Sequence, residues 1–116
     1  MRSILSEQGY DKANDIMSLE LVLRLVEDRP ENDSYRDPEN YYFSLFGDPS
    51  TSDPWGWRFE GHHLSLNFSS VNNELSATPS FYGSNPAIVP LGERKGHEAL
   101  DKEHNLARAF VKSLDA

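Results

Sequence analysis

The chain has no cysteine. That removes a disulfide framework, a thiolate nucleophile and a zinc–thiolate centre together, while leaving the redox compartment open. Any metal bound by these residues would need histidine and carboxylate ligands. Basic residues are also scarce. Eleven Lys and Arg stand against nineteen Asp and Glu, a formal net charge of -8, which opposes the phosphate neutralisation on which nucleic-acid affinity mostly rests. Nucleic acid is excluded as the expected partner. The acidic residues are spread without a run of about five or six, so they read as solvated faces rather than an acidic tail.

Long apolar runs are missing as well. Nothing approaches the roughly 18 consecutive apolar residues of a membrane helix, and residues 1–6 lack the apolar stretch of a secretory signal, so a soluble segment with no membrane partner is expected. Hydrophobic residues make up 37% of the chain, below the roughly 45–50% usual for globular proteins even though that figure counts glycine. The 116 residues fit one small domain, and such a domain buries only about two-thirds of its unfolded surface. The core is therefore small or shared with further chain. Sharing is the expectation: one segment of a domain that is incomplete at its C-terminus, with its N-terminus left open to the same reading and the rest of that domain as a partner.

What is present points to an α+β fold. Ile16, Leu19, Leu23 and Val26 share a helical face over 12–27, with Asp11 as N-cap and Pro30 as the stop. Residues 31–39 read as a loop, and the aromatic run 41–46 as a strand ended by Gly47, Asp48 and Pro49. From Trp55 to Phe68 apolar residues alternate, first on odd positions (Trp55, Trp57, Phe59) and then on even ones (Leu64, Leu66, Phe68). A one-residue β-bulge at Gly61 would restore a single apolar face. Asn72 and Asn73 signal a turn to a partner strand at 74–78, completing a bulged hairpin over about 55–78. Residues 79–90, with three prolines, read as an ordered loop, and 98–114 as a second amphipathic helix. Both helices are expected to pack on an antiparallel sheet.

The bulge would gather Arg58, Glu60, His63, Ser65 and Asn67 on one polar face. These residue types match site chemistry: imidazole titrates near neutrality, Glu orients it or acts as a base, and Ser and Asn hold a substrate. A wetted strand face is the plainer alternative. Adjacent His62 and His63 would point to opposite sides of a strand, so the pair is a weak metal signal, with His63 the one ligand the row supplies for a divalent ion. Ser65 has no nucleophile elbow around it. His97 and His104 read as surface residues. Trp55, Trp57, Phe59, Phe81 and Tyr82 either line an aromatic cleft or pack the core, and the loop carrying Tyr82 and Asn85 lacks a phosphate-loop pattern.

The block Trp55-Gly56-Trp57-Arg58-Phe59-Glu60-Gly61-His62-His63-Leu64-Ser65-Leu66-Asn67 resembles the signature stretch of the uncharacterised family called domain of unknown function 3500. Its other landmarks are matched in order by Leu5-Ser6, Gly9-Tyr10, Lys12, Ile16-Met17, Arg36-Asp37-Pro38, Tyr41-Tyr42-Phe43, Phe46-Gly47, Pro49-Ser50 and Phe81-Tyr82-Gly83-Ser84-Asn85-Pro86. The resemblance implies a fragment of a longer protein with a further histidine-bearing segment downstream. It implies no activity.

Two functions are compatible with this reading. One is a hydrolase or metal-assisted enzyme on a small polar substrate. His63, Glu60 and Ser65 would be catalytic, and Asn67, His62, Arg58, Tyr82 and Asn85 would bind substrate. The other is a non-catalytic module whose aromatic cleft takes a small-molecule ligand.

Overall fold

The computed structural model describes residues 1–114. Helix α1 (Glu7–Val26) is followed by strands β1 (Tyr41–Phe46), β2 (Trp55–Gly61), β3 (Leu64–Val71), β4 (Glu74–Ser76) and β5 (Ser80–Tyr82), then helix α2 (Asp101–Ser113). The class is α+β. All strand pairs are antiparallel, in the order β1-β2-β3, with β4 and β5 both on the far edge of β3. The two short strands are halves of one interrupted row.

α1 starts earlier than the periodicity predicts because Ser6, in an extended conformation, caps it: its Oγ accepts the Gly9 N–H at 3.1 Å. Asp11, the expected cap, lies inside the helix. Ala13, Ile16, Leu19 and Val22 pack on Tyr41, Phe59, Leu64, Leu66 and Phe68, closed by Val89 and Ala99. Stacked rings extend this layer, Tyr41 on Phe59 at 5.6 Å and Trp57 on Phe68 at 4.0 Å between centroids.

The bulge at Gly61 is absent. Gly61 pairs regularly with Tyr41 and Leu64, and 55–68 is a tight hairpin whose turn is His62–His63. A two-residue turn folding the strand back produces the same parity switch as a bulge. Its partners Trp57↔Phe68 and Phe59↔Leu66 share one face, Arg58↔Asn67 and Glu60↔Ser65 the other. His63 carries φ 61 and His62 no positive φ, the type II pattern. The Asn72–Asn73 turn is as expected, with φ 52 and 64, the primed form that suits a hairpin. The stretch read as a loop after Pro79 contains β5, which pairs with the β3 half that β4 leaves free.

Of the two described helices, α1 alone lies on the sheet. α2 has no buried side chain, and Leu106, Phe110, Val111 and Leu114 are all exposed. Lys12 and Glu103 join it to α1. The connector ahead of it is held to α1 by Asp15, which pairs with Arg94 and with His97 Nε2 at 2.7 Å. His97 is thus a partly exposed tether. Phe43 (67% exposed) and Leu45 (61%) lie on the α1 side of the edge strand yet outside its cover. The described chain is flat, with a radius of gyration of 17.3 Å against about 13 Å for a compact domain of this length.

Candidate functional site

The polar row exists, on the sheet face turned away from α1. Arg58 Nε donates to Asn67 Oδ1 at 2.7 Å, Arg58 Nη1 to Glu60 Oε1 at 3.2 Å, and Asn67 Nδ2 to the Pro79 carbonyl at 2.9 Å. Ser65 Oγ accepts from Asn67 at 3.4 Å, and among the described residues no imidazole bonds to it. The four side chains bind one another and are partly exposed. His63 is not among them. The regrouping follows from the hairpin: residues in the turn leave the strand alternation, so parity no longer assigns them a face.

His62 belongs instead to a cluster on the α1 side, and His63 lies next to it. The His62 Nδ1 ring nitrogen pairs with Glu20 Oε1, and Glu20, 3% exposed, is the one charged residue in the core among those described. Its other oxygen, Oε2, takes Arg36 Nη1 at 3.3 Å. Arg36 also grips Glu27, through Nη2 at 2.5 Å and Nε at 3.1 Å. The loop that presents Arg36 is fixed by Arg24, which donates to the Arg36 carbonyl through Nε at 3.2 Å and Nη2 at 2.7 Å. Tyr41 completes the group, its hydroxyl donating to the His62 carbonyl at 2.6 Å. Glu20, Tyr35, Arg36, Asp37, Asn40, Tyr41 and His62 line a small pocket of about 140 Å³.

His63 sits beside this cluster. Its ring meets that of His62 edge to face, centroids 4.2 Å apart. The Gly83 N–H donates to its carbonyl at 2.7 Å, and a Cβ at Gly83 would collide with its Nδ1. The loop that follows β5 therefore closes on the turn, not on the polar row. Tyr82 pairs with Leu64 and packs against the core, whereas Asn85 is exposed.

Burial, and then the neighbouring His62, hold the His63 pKa below the ordinary imidazole value, with Glu20 acting in the opposite direction. Burial pushes the Tyr41 phenol up to about 12, helped by the Glu20 charge. Tyr41 is therefore a neutral donor at physiological pH. Glu27 is drawn down to about 2 by its hydrogen bonds to Arg36 and then Arg29. An imidazole with a buried carboxylate on Nδ1 can serve as a base or a ligand through Nε2, because the carboxylate sets tautomer and ring direction. Among the described residues no group of three His, Asp or Glu is placed to hold a metal ion.

Sequence reasoning missed Glu20 and Arg36. The signal was there: Glu20 lies between Ile16 and Leu23 at helical spacing, an acid on the apolar stripe. The aromatic residues proposed for a cleft separate, Phe59 into the core and Phe81 onto the exposed opposite face. A groove of about 370 Å³ does lie at the β1–β2 end, between Phe46, Gly56, Arg58, Asn67 and Ser69. No described helix is long and apolar enough to cross a membrane. Neither a curated protein nor a solved structure matches the chain. Residues 1–116 match in full the family described as Protein of unknown function (DUF3500), and the chain belongs to that family.

Proposed function

We propose that this chain is part of an enzyme that activates water against a small polar substrate, a hydrolase or metal-assisted enzyme centred on the His62–His63 turn. The observation that carries the reading is the buried Glu20 carboxylate on Nδ1 of a partly exposed His62. Burying a carboxylate costs several kcal/mol unless it is paired and hydrogen-bonded. Here the pairing also directs an imidazole. Glu20 and Arg36 orient His62, and His63 adds a second imidazole beside it. In this reading the Arg58, Glu60, Ser65 and Asn67 row supplies no group to the centre.

The rest of its own domain is the proposed partner and the missing wall of the site. Exposed Phe43 and Leu45 beside α1, the bare apolar side of α2 and the flat shape support this. In a family member found active on a panel of esters, amides and phosphoesters, His62→Ala should lower kcat/KM by about 100-fold or more, roughly 2.7 kcal/mol. Glu20→Gln should follow it in direction, and His97→Ala and His104→Ala should leave turnover in place. Full activity in His62→Ala would remove the centre.

The groove at the β1–β2 end favours a second reading, a binding module. Arg58 lies 5.5 Å from the Phe46 ring centroid, and Gly56 beside them has no room for a side chain, since a Cβ would meet the Phe68 carbonyl. Ligand binding lost in Arg58→Met and retained in His62→Ala would select it.

A further inference from the structure

We propose that the His62–His63 turn is the protein half of a divalent transition-metal site, with both imidazoles as ligands. This rests on the turn being the catalytic centre and commits it to metal-held water. Successive residues of a strand point to opposite faces, which would keep two adjacent histidines apart. The turn removes that obstacle, bringing the rings to 4.2 Å with an interplanar angle of 72°. On one tetrahedral ion with metal–nitrogen bonds of about 2.0–2.1 Å, two imidazole centroids lie roughly 5 Å apart. The observed spacing lies within about 1 Å of that.

Each ring is held before an ion arrives. Glu20 takes Nδ1 of His62 and leaves Nε2 to ligate, the carboxylate–histidine–metal arrangement, and Glu20 is itself fixed by Arg36. His63 stands at φ 61, the value the second residue of this turn requires, and that fixes where its side chain leaves the hairpin. Gly83 packs against its ring, and among the described residues neither ring nitrogen has a hydrogen-bond partner. A ring fixed by its turn and by Gly83, with both nitrogens unpaired among the described residues, is open to a ligand. Imidazole ligands without thiolate suit Zn²⁺, Co²⁺, Ni²⁺ or Cu²⁺ over Mg²⁺ or Ca²⁺. With two protein ligands, water, substrate or another part of the domain fills the remaining positions.

The test is titration of the chain with Co²⁺ and Zn²⁺, followed by cobalt d–d absorption and by ¹⁵N shifts of the histidine rings. One equivalent should perturb His62 Nε2 and a His63 nitrogen together, and Mg²⁺ should perturb neither. His62→Gln and His63→Asn should each weaken binding at least about 10-fold, and Glu20→Gln about 10- to 100-fold. His97→Gln and His104→Gln should not change it. Asn tolerates the left-handed backbone, so His63→Asn decides the matter even if Glu20→Gln fails to fold. Circular dichroism monitors the fold throughout. A folded chain that binds no ion, or binds one unaffected by His62→Gln and His63→Asn, overturns the proposal. A family member whose activity resists chelators yet needs His62 would sink the metal and keep the centre. Activity independent of His62 would sink both.

Discussion

Glu27 and Glu20 show how differently two carboxylates of one helical segment are used. Glu27 is exposed, and its hydrogen bonds to Arg36 and Arg29 draw its pKa from 4.5 to about 2. A folded-state value below the unfolded one means that its contribution to stability is present above about 4.5 and is lost as the pH falls toward 2. Carboxyl ¹³C titration should show Glu27 still ionised at pH 3.5, and a midpoint near 4.5 would show that the Arg36 contact does not persist in solution. Gly83 carries a steric prediction. Gly83→Ala puts a Cβ into the His63 ring, an overpacking that should cost about 1–3 kcal/mol in urea denaturation and shift the His63 ring resonances. Unchanged stability would mean that the loop does not clamp the turn.

At the scale of elements, the start of α1 separates the observed cap from the expected one. Ser6→Ala should destabilise the chain by about 0.5–2 kcal/mol, the usual cost of losing an N-cap, whereas Asp11→Ala, inside the helix, should not. Helix α2 behaves as a satellite, since all its side chains are exposed. Phe110→Ser should alter the stability of the sheet and α1 by less than about 0.5 kcal/mol, because surface substitutions rarely do more. A larger loss in thermal unfolding would show that α2 packs on the sheet in solution.

For the whole molecule, the apolar surface outside the core carries a consequence. Phe43, Leu45, Leu106 and Phe110 are each more than 60% exposed, and surfaces of this kind on isolated chains mark association. The chain alone should self-associate in sedimentation velocity, or melt over a broad range in calorimetry. A monomer with a sharp two-state transition would argue that the domain is complete in itself. Serine at Phe43 and Leu45 should reduce association without lowering the melting midpoint.

By itself the sequence determined the α+β class, α1, the β1 and β2–β3 alternation, the Asn72–Asn73 turn and the polar row apart from His63, because periodicity and turn chemistry report local backbone geometry. It pointed to a bulge at Gly61 where the structure has a hairpin turn at His62–His63. A bulge and a two-residue turn shift the parity of apolar residues identically, though about 14 residues would be long for one strand. β5 was illegible because its pairing with β3 depends on how far β4 runs. The candidate site was half legible: the histidines were visible, their partners were not. Glu20 reaches His62, and Arg36 reaches Glu20, only when α1 and the loop after it cross the turn, where β1 brings the Tyr41 hydroxyl to the His62 carbonyl. Tertiary structure decided that, since a buried carboxylate takes its partners from whichever segments the packing brings within hydrogen-bond range.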